Sequence, residues 1–249
     1  MDVRTSTLAE RPDLIDRVWD MPDRWDEFME HDPIGESLFG SVVRSFRHLA
    51  VVATDPDDRI VAHGTAMAFR LDAEGRRHLP DRGWDQALVW AHQDQVRGDE
   101  PDTACALEVS VHPDRLGHGV SRQIFAALRD AARTSGFETL LAPVRPNAKH
   151  HEPETPMPVY ASRTRSDGLP EDPWLRVHAR LGGVIERIAP ASQTVSGSLD
   201  EWRSWTGLDF AHTGPVRVSG ALAPVWCDVE HDVAVYVEPN VWVRHDLRA

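Results

Sequence analysis

Between Glu108 and Arg122 the chain reads EVSVHPDRLGHGVSR, which gathers an acid, a His-Pro-Asp turn, two glycines and two arginines. Gly117 and Gly119 carry no Cβ, so a ligand can approach their backbone closely. The loop opens a helix whose first N–H groups lack intrahelical partners. Those donors and the positive end of the helix dipole favour a phosphate or pyrophosphate. Arg115 and Arg122 flank the loop and add charge-assisted contacts. The same spacing also serves a plain strand-to-helix turn with glycines for geometry alone. Glu108 lies in an otherwise apolar strand, where an acid costs free energy unless solvated or paired. Burial would make it a better base near neutral pH, and the other reading is a structural carboxylate bonded to an arginine. Two nucleotide loops are excluded. The third glycine and the ribose-binding acid of a dinucleotide fingerprint are missing, and no Gly-Lys-Ser/Thr marks a P-loop.

The elements that position these residues follow from the apolar pattern. Leu107, Val109 and Val111 alternate along a strand from Ala104 to Val111, which puts Glu108, Ser110 and His112 on its other face. Val120, Ile124, Leu128 and Ala131 then recur at helical spacing until Gly136 stops the helix. A second strand, Glu138 to Val144, completes a strand–loop–helix–strand unit, expected to be a parallel pair with a right-handed crossover. Upstream, Leu14, Ile15 and Val18 predict a helix from Ala9 to Met21, with Trp19, Trp25 and Phe28 packed in the core, the second reading being a substrate-lining set. Strands are expected over His48–Ala53 and Ile60–Phe69, joined by Asp55-Pro56-Asp57-Asp58. An inserted helix from Trp84 to Val96 walls a substrate pocket, forms a dimer face or is a decoration. Downstream, prolines 153, 156, 158, 170 and 173 forbid a long helix between Lys149 and Pro173. Helices follow at Trp174–Leu181 and, from the capping box Ser198-Leu199-Asp200-Glu201, at Leu199–Thr206, where Trp202 and Trp205 pack it down. Strands are expected over Val184–Ser196 and Val233–Val243.

Composition narrows the function. Hydrophobic residues make up 41% of 249, enough for a large core, and no apolar run approaches the ~20 residues that cross a bilayer. The start, MDVRTSTLAERPD, lacks the basic and apolar regions of a signal peptide, so a cytoplasmic location and no membrane association are expected. Cys105 and Cys227 are the only cysteines and read as reduced packing residues. His150-His151-Glu152 lacks the i, i+4 pair of a metal motif, and no metal is expected. A net charge of −13 argues against a nucleic-acid surface and suits a cationic amine.

The run VSVHPDRLGHGVSRQIFAAL resembles the acyl-CoA-binding motif of the GNAT N-acyltransferases, whose signature is Gln/Arg-x-x-Gly-x-Gly/Ala after a Val-x-Pro turn. Val111-His112-Pro113 matches the turn and Gly119 the central glycine, with Gly117 a common companion. Leu116 stands where Gln or Arg is usual, with Arg115 beside it to compensate, and Ser121 stands where Gly or Ala is usual. The likeness covers Glu108 to Asn147 and, more loosely, Asp172 to Ile188.

The resemblance implies an α/β domain over residues 1–249, with a mixed, mainly antiparallel sheet and helices on both sides. It places insertions at about 70–103, 149–173 and 198–230. It implies acyl-CoA in a splayed cleft, held by Val109, Val111, Arg115, Leu116, Gly117, His118, Gly119, Val120, Ser121, Arg122 and Asn147. The implied reaction moves acetyl from acetyl-CoA to a primary amine of a small molecule by direct attack. Glu108 is the expected base, and a backbone N–H near Val111 holds the oxyanion. His178, in VHARLGG where the family usually has tyrosine, is the expected cationic acid, with Tyr160 as its substitute on a lid formed by Lys149–Pro173 that also carries Arg163. The resemblance also allows a homodimer. The alternative is a catalytically silent module of the same fold that binds CoA or an amine.

Overall fold

A computed structural model describes residues 3–76 and 78–248. Nine strands form one sheet: β1 (Arg4–Thr7), β2 (Ala50–Thr54), β3 (Ile60–Phe69), β4 (Thr103–Val111), β5 (Thr139–Val144), β6 (Val184–Gly197), β7 (Gly214–Val216), β8 (Val225–Asp228) and β9 (Val233–Asp246). Their order is β1-β2-β3-β4-β5-β9-β8-β7, with β6 also paired to β9. Seven helices accompany them among the described residues: α1 (Glu27–Glu30), α2 (Pro33–Ser45), α3 (Gly83–Arg97), α4 (Val120–Thr134), α5 (Met157–Ala161), α6 (Pro173–Arg180) and α7 (Leu199–Thr206). Every strand pairing is antiparallel except β4 with β5. This is the mixed, mainly antiparallel α/β architecture that the sequence predicts.

The β4–β5 pairing decides the shape of the molecule. Only Ala104↔Leu140 and Cys105↔Leu141 stay in register, and the two strands then part. A bulge starts the divergence: Ala106 faces Ala66 and Glu108 faces Thr65, so Leu107 is an extra residue in β4. Such a residue bends and twists its strand. Pro143 lies in β5 beyond the last parallel pair and has no N–H to extend the ladder.

Helix α4 covers one face of the split. Its apolar stripe, Ile124, Phe125, Leu128 and Ala132, is buried. It sits close because β3 offers Gly64 beneath it, where a Cβ would come within 2.6 Å of Ile124 Cγ2. Gly64 pairs with Val109, so Val109 shares the α4 face and Glu108, paired with Thr65, looks the other way. Helix α3 packs over that opposite side, where the Trp84 indole donates to the Leu107 carbonyl at the bulge (3.1 Å). A second core, built around Phe28, Trp202, Phe210 and Tyr236, joins α1, α7, β8 and the ends of β6 and β9.

Three expectations are corrected. Residues 9–21 form no α-helix but two 3₁₀ turns, Pro12–Leu14 and Arg17–Asp20. The helix of this region is α2, begun by Asp32, whose carboxylate accepts from the Ile34 and Gly35 N–H groups. Phe28 is buried in the core, whereas Trp19 and Trp25 stay 42% and 38% exposed. Lys149–Pro173 is a packed segment and not a lid. Lys149 donates to the Glu152 and Leu222 carbonyls, and Met157, Tyr160 and Ala161 enter the main core.

Candidate active site

A cavity of about 550 Å³ opens where β4 and β5 part. Val109, Val111, Leu116, Ser121 and Asn147, all expected to contact acyl-CoA, line it together with Phe125 and Trp174. Below the cavity mouth, Pro113–Arg115 makes a 3₁₀ turn capped by His112, whose Nδ1 accepts from the Asp114 N–H (3.2 Å). Gly117 and Gly119 follow with φ of 78° and 75°. A Cβ at either position would meet no protein atom within 4 Å, so the left-handed backbone, not crowding, is what calls for glycine. Gly119 caps α4 without a side chain, and the first helical bond is Gln123 N–H to the Gly119 carbonyl. The N–H groups of Val120, Ser121 and Arg122 are therefore left for an anion beside Leu116 and His118. The side chain of Val120 is buried beneath them. Arg115 reaches Asp55 at 3.5 Å.

The other end of the cavity lies on the Glu108 face. The Ser110 hydroxyl donates to Glu108 Oε1 (2.8 Å) and accepts from the Trp25 indole N–H (3.1 Å). Glu108 Oε2 is buried and meets no donor among the described residues, with His63 Nδ1 4.0 Å away. No arginine among the described residues bonds it. One held oxygen and one uncommitted oxygen make an oriented proton acceptor. Four further carboxylates line the same end: Asp23, Glu30, Asp32 and Glu36. Among the described residues Arg145 is the only arginine or lysine that does so. Trp84, from the inserted helix, walls it.

Behind Asp32 lies Asp85, fully buried, with neither oxygen meeting a donor at hydrogen-bonding geometry. Burial first, and the Asp32 charge second, push its carboxyl up to about 8, and Arg82 at 3.9 Å offsets this only in part. Burial beside a second carboxylate thus favours the neutral form of Asp85 near neutral pH.

The two expected proton donors fare differently. His178 lines the cavity but is buried, with Nδ1 3.0 Å from His245 Nε2. Burial, and then the His245 charge, hold its pKa well below 6.5. Burial and then Arg129 lower His245 to about 4. His178 is therefore neutral at neutral pH, which corrects the expectation of a cationic acid; the rings share a proton and tie α6 to β9. Tyr160 is absent from the cavity wall among the described residues. Its buried hydroxyl donates to Asp172 Oδ2 (2.9 Å), and burial and Asp172 raise its pKa. A phenol committed there cannot serve a thiolate in the cavity. Asp172 also caps α6 by accepting from Trp174 and Leu175.

Trp25, whose second reading from the sequence is a substrate-lining ring, lines the cavity, whereas Asp32, Asp85 and Arg145 were not singled out as site residues from the sequence. The one local signal was Asp32-Pro33, a helix start. The others converge only through the fold.

No family model matches the chain. A curated relative, the arginine N-acetyltransferase avaD of Aspergillus versicolor, is 29% identical over 272 aligned residues, covering 97% of this chain and 93% of its own. Among solved structures, the loading GNATL domain of CurA from Lyngbya majuscula superposes with a TM-score of 0.60 at 17% identity, over 99% of this chain and 98% of that one. The GphF GNAT-like decarboxylase in complex with isobutyryl-CoA gives 0.54 at 16% identity, over the whole of both chains. The fold is the GNAT fold.

Two measurements check this geometry. Gly119→Val should abolish acetyl-CoA binding in calorimetry while circular dichroism stays native; unchanged affinity in a folded variant rejects the anion site. Asp85 tests the carboxyl pair. An unfolded aspartate loses its proton near 4, and folded Asp85 near 8. The native state thus holds an extra proton between those values, and stability falls as pH rises through that window. Asp85→Asn should gain on the wild type in Tm from pH 5 to pH 8, at roughly 2–4 °C per kcal/mol. A constant gap contradicts the raised Asp85 carboxyl.

Proposed function

We propose that this GNAT-fold chain, an acyl-CoA-dependent N-acyltransferase, moves acetyl from acetyl-CoA to an amine of a small cationic acceptor, arginine or a close analogue. The observation that carries the reading is Glu108: it lines the cavity with one oxygen held by Ser110 and the other, buried, without a donor among the described residues, across β4 from the start of α4. Donor and acceptor thus enter from opposite sides of one strand. The arginine activity of the relative and the carboxylates around the acceptor end both support a cationic acceptor.

The chemistry follows from this placement. The pyrophosphate of CoA sits on the N–H groups of Val120, Ser121 and Arg122, and its pantetheine arm lies along the unpaired edges of β4 and β5. An unpaired strand edge presents backbone N–H and C=O groups that can hold such an extended arm. Glu108 takes a proton from the acceptor ammonium, and the freed amine attacks the thioester carbon. The C–N bond forms, and a β4 backbone N–H near Val111 holds the oxyanion. The C–S bond then breaks, and the second proton that the nitrogen sheds as the amide forms passes, directly or through water, to the departing thiolate. His178 keeps the wall closed beside Phe125, whose ring centre lies 4.3 Å away. The acetyl-CoA requirement and the two free cysteines support a cytoplasmic setting.

The test is thiol release from acetyl-CoA with arginine as acceptor, for wild type and Glu108→Gln. Turnover should fall by about 10²–10⁴ in the variant, the scale of general-base catalysis, while the acetyl-CoA affinity holds. Full-rate turnover by Glu108→Gln moves the base elsewhere. Tight CoA binding with no thiol release from any of a broad amine panel points to the silent binding module.

A further inference from the structure

We infer that Arg145 is the carboxylate anchor of the acceptor site, so that the acceptor is an amino acid and not a simple amine. This rests on the N-acyl transfer reading of the same cavity. Arg145 follows β5 directly, on the side where the strand has parted from β4. Its Nε donates to Glu238 Oε2 (2.9 Å) and its Nη2 to the Gly220 carbonyl (2.7 Å). Nη1 has no protein acceptor among the described residues. The side chain is 19% exposed, and it lines the cavity.

The support behind the guanidinium is fixed. Glu238 is fully buried and also accepts from the Tyr236 hydroxyl (2.8 Å) and from Asn240 Nδ2 (2.9 Å). The Tyr236 hydroxyl in turn accepts from the Leu222 N–H (2.8 Å). The Trp25 ring covers the guanidinium at 5.6 Å. A side chain held at two of its nitrogens and on one face presents its remaining edge in one orientation. That is the geometry in which a guanidinium takes a carboxylate with two hydrogen bonds.

The position selects the acceptor over CoA. Trp25 touches Arg145 with its ring and Ser110 with its N–H, and Ser110 holds Glu108. Arg145 is thereby linked to the Glu108 face of β4, whereas Val109 and the start of α4 belong to the other face. The remaining charges of this end, Asp23, Glu30, Asp32 and Glu36, are all negative and repel a free carboxylate. One cation amid acids sorts a zwitterion: carboxylate to Arg145, reacting amine to Glu108, and a side-chain cation toward Asp32 and Glu36.

The test compares arginine with agmatine, which keeps the amine and the guanidine but lacks the carboxylate. Wild type should use arginine better in kcat/KM by about 10–100-fold, the worth of a charge-assisted hydrogen-bond pair. Arg145→Gln should lose most of that preference by slowing arginine far more than agmatine, and Arg145→Lys should recover part of it. A merely structural arginine slows both acceptors alike. Equal use of the two acceptors by wild type overturns the anchor and leaves N-acyl transfer standing, and this arm needs no variant. Transfer to neither acceptor overturns the anchor, and the broad amine panel then decides whether the transfer reading falls with it.

Discussion

The early end of the only parallel pairing in the sheet sets the rest of the molecule. Two register pairs hold β4 to β5, and the extra residue Leu107 then turns β4 away. A continuous pairing would bury every backbone group of both strands and leave no cavity. Separation exposes edges that normally seek a partner strand, and an extended pantetheine arm is such a partner. Alternation along β4 also places Glu108 and Val109, adjacent in sequence, on opposite sides of the strand along which the donor is proposed to lie. The sheet holds this opening apart because β9 pairs with both β5 and β6, so β5 keeps a full antiparallel neighbour while losing its parallel one.

Electrostatics divides the cavity between its two ligands. The donor end offers backbone N–H groups at the start of α4, and the acceptor end offers side-chain carboxylates. Buried ionisable groups at the acceptor end are either discharged or held by defined neighbours: burial favours neutral Asp85, Glu238 holds Arg145 and Ser110 holds Glu108. An unpaired buried charge is costly, so each acid or base is either discharged or paired except where a ligand is to complete it. His178 and His245 follow the same rule from the other side, since burial leaves both rings neutral.

The sequence made the donor side legible because its signals are local. A glycine loop opening an amphipathic helix, the alternating strand before it and the capping box at Ser198 each depend on neighbours a few residues away, and α4 and α7 stand where those signals put them. The acceptor side was hidden because its parts come from α2, α3, β4 and the exit of β5. Helix α2 escaped notice since its sequence, PIGESLFGSVVRS, carries two glycines and fully buries only Val42 and Val43. The stretch 9–21 misled in the opposite way: Leu14 and Val18 are buried at helical spacing, yet they sit on separate short turns. His178 matched a family position, but no spacing in a sequence shows that a second histidine, His245, faces it across the core.

The account stands on acetyl-CoA lying in the split between β4 and β5, with the acceptor reached from the Glu108 side. A structure of the protein with CoA tests this directly. The account predicts the pyrophosphate on the N–H groups of Val120, Ser121 and Arg122, the pantetheine arm between Val109–Val111 and Ala142–Val144, and the sulfur beside β4 with Glu108 on the far face. CoA bound elsewhere, or a pantetheine arm lying on the Asp32 and Glu36 side of β4, contradicts it.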